Sequence, residues 1–323
     1  MSMLIADRAK LFLKGMAMGA ADVVPGVSGG TIAFISGIYE ELLSSIKSIG
    51  PETLTVLRKD GLKAAWEQIN GDFLATLVAG IICSVLLLVR PITWALEHQP
   101  VLIWSFFFGL IAASVWLCGK LLRHWSVGPL IGLLLGAAVA VAIGLLNAGS
   151  GSTSLFFIFF AGALAICAMI LPGISGSFIL LLLGAYLPVM SAIKAFDIPV
   201  VGVFVLGCMF GLMAFSRVLS WMFNHHHDLT VATLTGFLLG SLTIIWPWKE
   251  VVSVRMVHEG RPDAHLEPFI RRNIWPSDYA SITEMDTALG ITSKDPQLVW
   301  AVMLAVLGAA LLVVLERFAP RKT

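Results

Sequence analysis

Val24-Pro-Gly-Val-Ser-Gly-Gly-Thr31 and Leu171-Pro-Gly-Ile-Ser-Gly-Ser177 are two versions of one short pattern. In each, a proline and a glycine end one apolar stretch, and Ser28 or Ser175 stands where an N-cap opens the next helix. The likeness runs outward. Val24–Ile49 aligns without a gap on Leu171–Phe196, matching Ile32 with Ile179, Gly37 with Gly184, Tyr39 with Tyr186, Ser44 with Ser191 and Lys47 with Lys194. Past an extra stretch in the first copy, Gly80, Arg90, Trp94, His98, Gly109 and Ser114 fall on Gly207, Arg217, Trp221, His225, Gly236 and Ser241. Unrelated apolar helices match Leu with Val; they do not repeat Pro, Arg, Trp and His in register. The chain is an internal duplication.

What is duplicated is a membrane segment. Of the 323 residues 58% are hydrophobic and 13% charged, with a mean hydropathy of +0.91. A soluble domain carries about 25% charged residues, so this chain has too few to cover a water-facing surface. Phe73–Val89, Val101–Cys118, Gly128–Leu146, Val200–Phe215 and Leu298–Leu315 approach or reach the roughly 20 apolar residues that cross a bilayer as helix. Backbone in lipid must satisfy itself, and no alternating strand pattern competes, so helices are expected. The net charge of +1 gives no reason to expect nucleic acid. The four cysteines lie in or at the ends of apolar segments without metal-ligand spacing, as small buried hydrophobes do. Arg8, Lys10 and Lys14 before an apolar run imitate a signal peptide, but that segment recurs in the second copy and is expected to belong to the fold.

Each copy reads as two short glycine-broken segments followed by three longer helices: about 11–24, 29–46, 73–96, 101–118 and 127–147, then 155–170, 176–196, 199–222, 229–247 and 297–316. Whether the first two segments span or form a re-entrant hairpin, the number of crossings per copy is odd, which turns the second copy upside down. The expected fold is an all-α polytopic membrane protein of two inverted repeats, residues 1–150 and 151–323. Each has a glycine-broken re-entrant helix pair plus three transmembrane helices. An amphipathic insertion occupies 51–72 and a long loop 248–296. Basic residues such as Lys47, Arg58, Lys59, Lys63, Lys120, Arg123, Arg217, Arg317, Arg321 and Lys322 gather on one side if both termini are cytoplasmic, and the loop is then extracytoplasmic.

The chemistry is expected at the two breaks. Gly29, Gly30 and Thr31, and in the second copy Gly176 and Ser177, follow the capping serines and would leave backbone N–H groups bare, which suits an anion such as phosphate. The competing reading is structural: proline and glycine kink the helices, and serine satisfies the backbone they free. Arg90 and Arg217, equivalent in the two copies, offer planar forks for a phosphate, or else snorkel to the interface. Asp22 sits in an apolar segment three residues before the break, where an acid is a candidate for proton exchange unless it pairs with Lys14 or caps a helix. Glu40 is a second candidate. His225, His226 and His227 are adjacent and cannot all face one ion from a helix, so neither metal nor cofactor is expected.

Asp22-Val-Val-Pro-Gly-Val-Ser-Gly-Gly-Thr31, running into Ser36-Gly-Ile-Tyr-Glu40, resembles the signature of the PopT-type polyprenyl-phosphate transporters, over nearly the whole chain. That resemblance implies a flippase of the bacterial cytoplasmic membrane that returns undecaprenyl phosphate, the lipid carrier of cell-wall sugars. The second copy has Met169 where the first has Asp22, so the halves cannot have equal roles. Two other readings stand beside it. An intramembrane undecaprenyl-pyrophosphate phosphatase also uses inverted repeats and a Pro-Gly-x-Ser motif, but here glycine, not arginine, follows Ser28 and Ser175, which leaves no clamp for phosphoryl transfer. A small-anion channel or carrier uses the same helix ends.

The odd segment count predicts that single cysteines placed at Ser48 and Ser191, in a chain stripped of its native cysteines, are labelled from opposite sides of the membrane. Labelling of both from one side would rule out inversion.

Overall fold

In the computed structural model, the described residues are 5–24, 27–122, 124–146, 152, 154–257, 265–291 and 294–317. Pro25 and Gly26 of the first motif, and Arg123, Arg321 and Lys322 of the charge argument, lie outside them. The helices are α1 (Ile5–Val23), α2 (Gly29–Ile35), α3 (Tyr39–Ser48), α4 (Pro51–Lys59), α5 (Gly61–Gln68), α6 (Gly71–His98), α7 (Pro100–Lys120) and α8 (Val127–Leu145) in the first copy. The second has α9 (Leu155–Ile170), α10 (Gly176–Leu182), α11 (Tyr186–Lys194), α12 (Ile198–His225), α13 (His227–Ser241), α14 (Glu284–Ala288) and α15 (Leu298–Arg317), with strands β1 (Lys249–Val257) and β2 (His265–Asn273) between α13 and α14.

Among the described residues four helices, α6, α7, α8 and α12, are long and apolar enough to cross a membrane, and the pair α10–α11 makes a fifth if counted as one broken span. Leu87, Phe156 and Ile198 are 61%, 75% and 79% exposed. A water-facing surface would carry such apolar side chains only singly; rows of them along α6, α8, α9 and α12 face lipid.

The segments expected as single helices at 29–46 and 176–196 are each two. The helices break next to Gly37 (φ +73°) and Gly184 (φ +69°), a left-handed backbone that glycine adopts without strain. α10 and α11 meet at 110° across that break. The insertion at 51–72 is likewise two short amphipathic helices, α4 and α5, separated at Asp60. The segment 248–296, expected as a long loop, contains an antiparallel hairpin. Its β-branched run Val251-Val252-Ser253-Val254 does not alternate, because register shifts on either side of Ser253 break the two-residue period. That is why the strand was not legible as one.

The packing shows how the copies fit together. In each copy the first helix lies on the first long span of that copy: α1 on α6 and α9 on α12. Gly15 abuts the Leu77 carbonyl and Gly162 the Phe204 carbonyl, while Gly80 abuts Phe12 and Gly207 abuts Phe159. The last helices are exchanged. α15 packs on α7, and α8 packs on α13, so the final helix of each copy lies against the other copy. Gly109 meets Ala305 as Gly236 meets Leu133, and Gly308 meets Phe106 as Gly136 meets Thr233. Small residues at these crossings let backbones approach where apolar burial alone gives no preference in lipid. Hydroxyls inside the bundle bond to their own helix, as with Ser114 to Leu110 and Thr235 to Val231. The cysteines are free thiols; Cys167 and Cys208 donate across α9 and α12 to the carbonyls of Gly211 and Gly162. The repeated Trp–His pairs also keep one geometry: His98 stacks on Trp94 and His225 on Trp221, both with centroids 5.1 Å apart.

A Cβ on Gly109 or Gly236 has no room against the facing carbonyl, whereas Gly128 is open. We expect Gly109→Val and Gly236→Val each to destabilise by at least about 1–3 kcal/mol, the usual overpacking cost, and Gly128→Ala to be neutral. Unfolding in detergent followed by circular dichroism measures this, and equal midpoints for all three would contradict the crossings.

Candidate functional site

The two breaks lie against each other. α9 ends at Ile170, and its last carbonyls have no helical partner. They find partners in the other copy: the Ser28 hydroxyl donates to the Met169 carbonyl at 2.8 Å, and the Tyr39 hydroxyl donates to the Ile170 carbonyl at 3.1 Å. In return the Thr31 hydroxyl accepts from the Gly173 N–H at 2.9 Å. Gly173 holds φ +85°, and a Cβ there would come within 2.8 Å of the Phe237 carbonyl, so this turn tolerates only glycine. Gly30 sits equally close to α9: a Cβ on it would lie 2.5 Å from the Ile170 carbonyl. Ser28 and Thr31 are fully buried, and Tyr39 is wedged edge-on between Phe34 and Phe223.

The first helix end is therefore not bare, which corrects the expectation for Ser28, Gly29, Gly30 and Thr31. The Gly29 N–H donates to the Asp22 carboxylate at 2.6 Å, and the Gly30 N–H to the Ser28 hydroxyl at 3.1 Å. The Thr31 N–H bonds the Ser28 carbonyl at 2.9 Å. Ser28 thus caps α2 with its lone pair and the end of α9 with its proton. Asp22 caps the same helix end and does not pair with Lys14, which donates instead to the Ser36 carbonyl at 2.7 Å.

The second helix end differs where the sequences differ. Met169 stands in place of the acid, and nothing among the described residues accepts from the Gly176 N–H. The Ser175 side chain makes no cap bond; its hydroxyl and that of Ser177 share a hydrogen bond of 2.8 Å. Ser175 and Gly176 are buried, while Ser177 is exposed.

The other expected residues are not gathered here. Arg217 donates to the Met213 carbonyl of its own helix at 2.9 Å, with its guanidinium beside Gly50. Arg90 is exposed and bonded to nothing among the described residues. Glu40 is exposed in the first turn of α3. His225 and His226 lie against Trp221 while His227 contacts Asp228, so the three rings diverge. Sequence reasoning missed Tyr39. Its match with Tyr186 marked it as repeated, but nothing in the chain tells which carbonyl a tyrosine will reach.

These features define a multi-pass helical membrane protein with a buried polar crossing of two broken helices. Residues 18–262 match the undecaprenyl phosphate translocase-like family, and the chain belongs to it. It is 44% identical over 310 residues to a polyprenyl-phosphate transporter of Vibrio cholerae serotype O1, covering 96% of each chain. It is 32% identical over 253 residues to a polyprenyl-phosphate transporter of Staphylococcus aureus, covering 73% of this chain and 85% of that one. Both relatives are named as transporters, not enzymes. No solved structure matches the chain.

The Thr31–Gly173 bond yields a direct test. Thr31→Val keeps the shape and strands a buried N–H, at a cost of about 1–3 kcal/mol; Thr31→Ser restores an acceptor and most of the stability. Unfolding midpoints of the two variants check it, and equal values would show that the bond does not hold the crossing together.

Proposed function

We propose that the protein is a polyprenyl-phosphate transporter that carries undecaprenyl phosphate between the leaflets of the bacterial cytoplasmic membrane, back toward the cytoplasmic face. The near full-length likeness to named polyprenyl-phosphate transporters supports the lipid class. The single structural observation that carries the mechanism is the unequal state of the two helix ends: one holds a carboxylate, and the other has an open N–H. The headgroup phosphate first meets Ser175, Gly176 and Ser177. It reaches Ser28, Gly29, Gly30 and Thr31 only by replacing Asp22 at the Gly29 N–H and by opening the bonds that Gly30 and Thr31 make to Ser28. Uptake of a proton by Asp22 would loosen that bond, which makes Asp22 the candidate for proton coupling; Glu40, on the surface, is the weaker one.

The two copies are inverted in this reading, with both termini cytoplasmic, and the exchanged helices α8 and α15 support a paired arrangement of that kind. The polyprenyl tail stays in lipid while fixed dipoles replace the water around the phosphate. Arg90 and Arg217, exposed near opposite faces, would receive the headgroup on either side. No bond to phosphorus is made or broken, so the two serines are not nucleophiles.

Reconstituted in liposomes, the protein should change the leaflet of undecaprenyl phosphate and release no inorganic phosphate from undecaprenyl pyrophosphate. Ser175→Ala slows transfer, and Gly176→Leu does more harm because a side chain there pushes the headgroup off the N–H. Phosphate release that depends on Ser28 or Ser175 would instead favour a phosphatase, and a lipid that neither moves nor reacts would favour a small-anion carrier.

A further inference from the structure

The hairpin between α13 and α14 turns one face toward the start of α7, where Lys249 meets Trp104, and that face carries two cations. Val251 pairs with Arg271 across the strands, and Lys249 lies two residues before Val251, so all three share one face. Lys249 stands over the ring of Trp104, 5.1 Å from its centroid, and donates to the Ile244 carbonyl. Neither Lys249 nor Arg271 bonds a carboxylate among the described residues, although acids are close. Glu250 sits on the opposite face and holds Arg272 at 2.7 Å, and Asp286 holds Lys294. Burial, with Arg271 nearby, pushes the Lys249 ammonium down to about 8.

The surroundings indicate the depth of this pair. Trp246 packs on Trp248 and Trp275, and the first two anchor their indole N–H groups on the carbonyls of Ile274 and Pro296. Tryptophan clusters of this kind settle at headgroup level. We propose that Lys249 and Arg271 form a docking site beneath the hairpin for the phosphate monoester of a lipid headgroup. A monoester carries about −1.5 to −2 charge at neutral pH and so matches two cations, whereas the phosphodiester of a bulk phospholipid carries one charge. The site extends the transporter reading, on which its biological role rests. With both termini inside, it collects the lipid on the outer face before the phosphate reaches the crossing of the broken helices.

The test is binding of farnesyl phosphate, a short prenyl monophosphate, to the full chain in phosphatidylcholine nanodiscs, with inorganic phosphate and phosphatidylglycerol as competing probes. Lys249→Gln and Arg271→Gln should each weaken farnesyl phosphate roughly tenfold or more, the usual loss of a charge-assisted hydrogen bond. Lys249→Arg should retain binding, and Glu250→Gln on the other face should leave it unchanged. Arg271 is exposed, so its variant decides the matter if Lys249→Gln fails to fold. Unchanged affinity in Arg271→Gln overturns the site. Competition by phosphatidylglycerol or inorganic phosphate as strong as by the monophosphate overturns its assignment to a lipid monoester. Leaflet transfer by the wild type separates the two readings. If transfer proceeds and both Gln variants bind and transfer normally, this site alone falls; if the variants lose binding but the wild type moves no lipid, the site stands and the transporter reading falls.

Discussion

The structure depends on what happens to the last carbonyls of α9. A helix that ends inside a membrane leaves acceptors that neither water nor lipid can satisfy, and each such group left alone costs a sizeable fraction of the stability of a protein. Here Ser28 and Tyr39, from the other copy, supply the missing donors, and Thr31 supplies an acceptor for the turn that follows. The three bonds satisfy the end of α9 and the turn after it with groups of the other copy, so this break is tolerable because its partner stands opposite.

That reciprocity recurs at the scale of whole helices. α8 and α15 leave their own copies and pack on α13 and α7, through glycines that occupy equivalent places. A duplicated chain joined in this way cannot be pulled into two independent halves without exposing backbone along both crossings.

The copies are alike in frame and unlike at the point that matters for an anion. Asp22 and Ser28 fill the donors of one helix end, while at the other Met169 stands in place of the acid and the Gly176 N–H has no acceptor among the described residues. A symmetric pair of open ends would hold a phosphate equally in both places and give it no reason to move on. In the proposed mechanism, an end with a free donor beside one closed by a carboxylate makes a graded path. In the proposed reading, the cations Arg90 and Arg217 on the long helices and Lys249 and Arg271 on the hairpin bear on how a headgroup arrives.

Much of this was legible in the chain itself. Composition required a membrane, and the matched Pro, Gly, Ser, Arg, Trp and His positions established the duplication. The substitution of Met169 for an acid announced unequal halves. These are local properties, written in residue type and spacing. Three things were decided only in the folded chain. The bends at Gly37 and Gly184 depend on positive φ, which glycine permits but does not require. The hairpin appeared because pairing compensates for a strand whose alternation is broken at Ser253. Above all, Ser28 could equally have faced a ligand or a neighbouring carbonyl, since its hydroxyl suits both. The end of α9, distant in sequence and adjacent in space, determined which, because an acceptor buried in lipid must be met by whatever donor lies within reach.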